Sequence, residues 1–131
     1  MMNSIRDRLA RVYNLDYMET LELHFALQEE IKKQIQLKNE EETISLCEKS
    51  IAISSLVMAA MKRKHIAQAD EYARATGNLS PLKFTYPNHY EHSIISKIYE
   101  KKGQLDKLAE MNDKLSSDGW NSGRQEELYF L

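Results

Sequence analysis

The stretch Tyr90-Glu91-His92-Ser93-Ile94-Ile95-Ser96-Lys97-Ile98-Tyr99-Glu100-Lys101-Lys102-Gly103-Gln104-Leu105-Asp106-Lys107-Leu108 decides the fold class. Ile94, Ile95, Ile98 and Tyr99 recur at the three- and four-residue spacing of one helix face. Lys101 and Lys102 lie where a helix C-terminus attracts cations, and Gly103 follows them as a stop. A second apolar stripe, Leu108, Ala109, Met111 and Leu115, begins directly after it. The pattern predicts one helix over 88–102 and another over 105–115. Their joint is so short that they must fold back on each other as an antiparallel hairpin spanning 88–117.

Upstream, Gly77, Asn78, Ser80 and Pro81, with Pro87 and Asn88, bracket a loop over 77–88. Leu82 to Tyr86 alternates within it, but the stretch is too isolated to build a sheet. Before the loop the spacing is again helical. Ser4 is placed to cap a first segment over 4–13, with Ile5, Leu9 and Val12 on one face. Asp16 and Glu19 have the spacing of a capping box. After them Met18, Leu21, Phe25, Leu27, Ile31 and Ile35 carry an apolar stripe to Leu37, with Lys38-Asn39 as the stop. Glu40-Glu41-Glu42 favours a new helix start, because negative charge is stabilised at a helix N-terminus. Ile44, Leu46, Cys47, Ile51, Ile53, Leu56, Val57 and Met61 follow. The run 51–61 is apolar almost all round, so that helix is expected at the centre or at a subunit contact. The pattern leaves open whether it runs on to Thr76 or bends near Lys62-Arg63-Lys64. The expectation is an all-α chain of roughly four to six helices forming one domain over 1–131.

Composition narrows the function. Of 131 residues 42% are hydrophobic and 29% charged, with four Gly, two Pro, one Cys and a formal net charge of −2. Four glycines, scattered, leave no Gly-rich phosphate cradle. A single cysteine makes neither an internal disulfide nor a thiolate-only zinc site, and points to a reducing compartment. The first eight residues are charged and lack the apolar core of a signal peptide. The apolar run 51–61 is too short to span a bilayer. A cytoplasmic protein is expected, of a bacterial or phage accessory kind, with no membrane association.

The residues 90–120 resemble a tetratricopeptide repeat, a two-helix unit of about thirty-four residues. The resemblance rests on Ile95 and Ser96 in the first helix, Tyr99, the Lys-Lys-Gly turn ending at Gly103, and Leu105 and Leu108 in the second. The family usually has a small residue at the position of Leu108 and alanine at that of Leu115. The region 21–53 resembles a second, degenerate copy: Ser50 is small where the family has alanine, Gln34 stands at the tyrosine position and Lys38 at the turn glycine. The resemblance implies a TPR-like scaffold that binds peptides or proteins along the first helix of each hairpin. His92, Ser96, Lys97 and Tyr99 would then face the partner. Repeats need neighbours to bury their faces, so the missing neighbour is either the first segment or a second copy of the chain.

Other constellations carry blander readings. His89 and His92 share a helix face at a spacing that could bind one metal, with His24, His65 or Asp106 as a third ligand. No zinc motif accompanies them, and the pair reads as an exposed helix start, so no metal or cofactor is expected. Lys62, Arg63 and Lys64 form a basic patch, within a stretch 61–108 whose local net charge is +4. It reads as a solvated helix face, and nucleic acid is not the expected partner. Cys47 falls on an apolar face and reads as inert. The tail 119–131 ends in Leu128, Tyr129, Phe130 and Leu131, four large apolar residues in succession. They are expected to dock on the chain itself, on a sister subunit or on a partner. The chain is therefore read as a non-enzymatic protein-interaction module of adaptor, immunity or inhibitor type. Its expected contacts are a protein partner and a homodimeric mate, with Tyr129, Phe130 and Leu131 among the contact residues. The alternative is a regulatory protein meeting nucleic acid through 61–108.

Overall fold

A computed structural model describes residues 2–128, excepting the side chains of Met2 and Asn3. Among these residues six α-helices carry the fold: α1 (Met2–Ala10), α2 (Tyr17–Gln36), α3 (Glu40–Ala52), α4 (Ser54–Thr76), α5 (Tyr90–Lys101) and α6 (Leu105–Ser117). A 3-10 turn, Val12–Asn14, joins the first two. The protein is all-α apart from a two-strand ribbon. In that ribbon β1 (Phe84–Thr85) pairs antiparallel with β2 (Gln125–Glu126), Phe84 opposite Glu126. The alternating loop segment does therefore find a strand partner, forty residues along the chain.

The anticipated capping box starts α2: the Glu19 amide donates to Asp16 Oδ1 at 2.8 Å, and Glu19 Oε1 accepts from the Asp16 amide at 3.2 Å. Ser4 does not cap α1, which already includes it. In α3, Asn39 caps by accepting the Glu42 amide at 3.2 Å, with three glutamates in the first turn.

The joint α2–α3 and the joint α5–α6 have the same backbone design. Leu37 and Lys102 end their helices in helical geometry, and Lys38 (φ 56°) and Gly103 (φ 69°) turn left-handed. The next amides, Asn39 and Gln104, then reach back to the carbonyls of Gln34 and Tyr99 at 3.0 and 2.8 Å. This is the six-to-one bond of a Schellman stop. The stops fall sixty-five residues apart, Lys38 standing where the second joint has glycine.

The apolar run 51–61 is not one straight helix. The axes of α3 and α4 diverge by 56° at Ile53, and α4 then runs without a break past Lys62 to Thr76. Ile51 and Ile53 are both buried, and residues two apart cannot face one way on a single helix. The bend turns α3 toward α5 and α4 toward α2. Packing runs in the order α4, α2, α3, α5, α6, with α1 against α2. One cluster joins Leu23, Leu27 and Ile31 of α2 to Leu46 and Ile51, Val57, Ile95 and Leu115. The buried face of α2 is rotated from the expected stripe: Met18, Phe25 and Ile35 are exposed, while Thr20, Leu23 and His24 turn inward. Ala109, expected inward, faces solvent.

No single helix among the described residues is long and apolar enough to cross a membrane. Only α3 and α4 taken together reach that length, and they are bent apart.

Candidate functional site

Two features stand out. The first is an open groove of about 440 Å³ where the α2–α3 joint meets α5. Ile35, Ile94 and Ile98 supply its apolar floor, and Lys38 and Lys97 reach it from opposite sides. Glu40, also in the wall, is engaged by Lys102 at 3.0 Å.

The second is a sealed polar cluster at the start of α5. His89 is the residue before the first turn of α5, and Glu91 lies within that turn. Both side chains are fully buried, and His89 Nδ1 lies 3.2 Å from Glu91 Oε2. The His24 ring comes from α2, 6.2 Å from that of His89. Trp120, which follows α6, stands edge-on to His89 at 4.8 Å and donates its Nε1–H to the Ser54 carbonyl at 3.3 Å. The Ser50 hydroxyl of α3 faces the Glu91 carboxyl from within the core without closing a well-directed hydrogen bond. Ser50 Oγ, Ser54 Oγ, His24 Nδ1, both His89 ring nitrogens and both Glu91 oxygens lack a well-directed hydrogen bond among the described residues.

Burial sets the protonation of this cluster. Desolvation lowers His24 to about 4 and His89 to about 3, the latter helped by the neighbouring His24 and His92. Desolvation raises Glu91 to about 7, against the pull of its own backbone amide, Ser50 and Lys32. Near neutrality both histidines are therefore uncharged and Glu91 is near its midpoint. Cys47 is buried close by, and burial, then Glu91 and Glu48, push its thiol up to about 12, so it stays protonated and unreactive.

The residues expected to face a partner do not share one surface. Lys97 lines the groove. His92 points instead across the hairpin to Asn112, its Nε2 at 2.7 Å from Oδ1. Tyr99 is buried and donates its hydroxyl to Glu48 Oε2 at 2.7 Å, while Lys107 lies over its ring. Burial, then Glu48, raises its pKa. Ser96 is half-buried, and its hydroxyl has no partner among the described residues. Tyr129, Phe130 and Leu131 lie outside the described residues. The basic patch is divided: Lys62 Nζ lies over the Tyr86 ring at 4.7 Å, Arg63 lines a crevice with Tyr17 and Asp70, and Lys64 lines the furrow beside Phe84. His89 and His92 also part, one sealed inside and one on the hairpin; among the described residues no three His, Cys, Asp or Glu side chains are grouped to hold a metal.

The sealed cluster is not visible as a unit in the sequence. There His24 and His89 come together only as candidate metal ligands, and Glu91 is one charge among many. The signals it does leave are polar residues at buried spacings: His24 beside Leu23 and Leu27, Ser50 just before the most apolar run and Ser54 within it. No protein family matches the chain, and no curated protein and no solved structure matches it either.

Proposed function

We propose that this chain is a non-enzymatic protein-interaction module, capturing a short acidic segment with aliphatic anchors in the groove between the α2–α3 joint and α5. The observation that carries this reading is the groove's make-up. Its floor is isoleucine, and the cations lining it are Lys38 and Lys97, while the acidic Glu40 is occupied by Lys102. An aliphatic side chain entering the floor gains about 1.5–3 kcal/mol from burial, and a flanking carboxylate meets a lysine at the rim. The matching joints at Lys38 and Gly103 support the repeat-like reading of the two hairpins, in which a junction between units is a natural binding surface. The sealed state of the His89–Glu91 pair and the protonated thiol of Cys47 support a role other than catalysis.

The test is fluorescence polarisation with synthetic peptides, each with two leucines flanked by either aspartate and glutamate or by lysine and arginine. The acidic peptides should bind and weaken as salt is raised. Lys38→Glu with Lys97→Glu should abolish that binding while the helical circular dichroism of the folded chain is retained. Equal affinity for acidic and basic peptides, or no binding to either, rejects the reading.

A further inference from the structure

We propose that the sealed cluster of His24, His89, Glu91, Ser50 and Ser54 is a proton-operated latch that holds the C-terminal segment 119–128 closed over the helical body. The segment is fastened at two places. At one, the Trp120 ring covers His24 and His89, and its Nε1–H donates to Ser54. Beside it, Asn121 Oδ1 accepts the His89 amide at 2.8 Å, and the Asn121 amide donates to the Pro87 carbonyl at 2.9 Å. At the other, β2 pairs with β1, the Tyr86 amide donates to the Arg124 carbonyl at 2.8 Å, and the Tyr86 hydroxyl donates to Glu126. The first fastening is built directly on groups that change charge.

The groups around the latch come from each packed element. From α2 come His24 and Lys32, from α3 Cys47 and Ser50, and from the start of α4 the neutral Ser54. Glu91 and His92 come from α5, and the closing segment presents the uncharged Trp120 and Asn121. The carboxyl beside His89 is that of Glu91, which is itself neutral well below about 7. A proton added to either ring in acid therefore meets little compensation.

The sign follows from the difference between the closed and open states. An imidazole uncovered to water titrates near 6.5, but His24 and His89 resist protonation down to about 4 and about 3 when closed. Below about 6.5 opening takes up protons, so acid favours the open form. Glu91 acts in the other direction. It holds its proton up to about 7 when closed but only to 4.5 when exposed, so between these values opening releases one proton. The two histidines outweigh it on the acid side, and closure is tightest near neutrality. Opening the segment is the least costly response, because Leu23, Leu27, Ile31 and Leu46 keep the helices packed without it.

The chain contains one tryptophan, Trp120, so its emission reports the latch directly. The full chain should be followed by tryptophan fluorescence and far-ultraviolet circular dichroism from pH 8 to pH 4. The expected result is a red shift of the emission on acidification below about 6.5 while the helical signal persists. In His24→Gln and in His89→Gln the transition should weaken or move to lower pH. Emission that stays flat over the range overturns the proposal. So does a red shift that coincides with loss of helical signal, or one unchanged in both variants. If His89→Gln does not fold, the wild-type profile and His24→Gln decide the matter.

Discussion

At Gly119 the backbone turns left-handed (φ 84°), and a Cβ there would meet the edge of the Tyr86 ring, 2.6 Å from Cε2. That ring is itself held: Lys62 and Arg124 lie over it, its hydroxyl donates to Glu126, and it is buried. It cannot retreat. Gly119→Ala therefore adds steric overlap to left-handed strain and should cost about 2–5 kcal/mol in chemical denaturation. Gly103→Ala should cost only about 1–2 kcal/mol, since that site opens onto free space; equal losses would show that the Tyr86 contact is irrelevant. Glu91 makes a second prediction at this scale. With its folded pKa raised from 4.5 to about 7, it contributes an unfavourable term that is absent below 4.5, grows through that interval and is complete above about 7. Glu91→Gln should stabilise the chain at pH 8 by up to about 3 kcal/mol and leave stability at pH 4.5 nearly unchanged, measured as denaturation midpoints at the two values. A gain of the same size at both values would mean that the carboxyl's charge is not the cause.

The elements are legible in the sequence where local rules and packing agree. Asp16 with Glu19, the acidic triplet at the start of α3, and the lysines before Gly103 all act as their positions promise, while Asn39, expected only as part of the stop after α2, also caps α3. Asp16→Ala should accordingly cost about 1 kcal/mol, read as a fall in thermal midpoint; no change would mean that the 3-10 turn before it fixes the entry to α2. Periodicity is weaker wherever more than one face is apolar. On α2 the stripe through Met18, Phe25 and Ile35 matches a helix face, yet α3 and α4 flank the helix on sides that bury Leu23, His24 and Leu27 instead. On 51–61 the all-round apolar character carries no direction, so the 56° bend at Ile53 leaves no mark in the spacing. The two-strand ribbon is hidden for another reason: Leu82 to Tyr86 alternates, but its partner lies forty residues along the chain and is only two residues long. Lys97 reaches the groove because exposed positions on α5 follow its period. Tyr99 does not, because the same period turns it toward α3 and Glu48.

Across the whole molecule, residues 119–128 close on the chain that carries them. Trp120 fills a space bounded by α2, α4 and the start of α5, and β2 covers β1. An apolar tail read from sequence suits a sister subunit as readily as its own chain; through Leu128, which packs against the core, the surface it covers belongs to the same chain. Removing everything after Asp118 takes away one buried tryptophan and the ribbon while sparing all six helices. The loss should be about 3–5 kcal/mol, the range for emptying a buried tryptophan site, against a total of about 5–15 kcal/mol for a domain of this kind. The truncated chain should keep its helical circular dichroism, unfold at lower denaturant, and show the same number of subunits as the full chain in sedimentation equilibrium. A change from dimer to monomer on truncation would instead place the segment between two copies, and unchanged stability would mean that Trp120 is not part of the cooperative core.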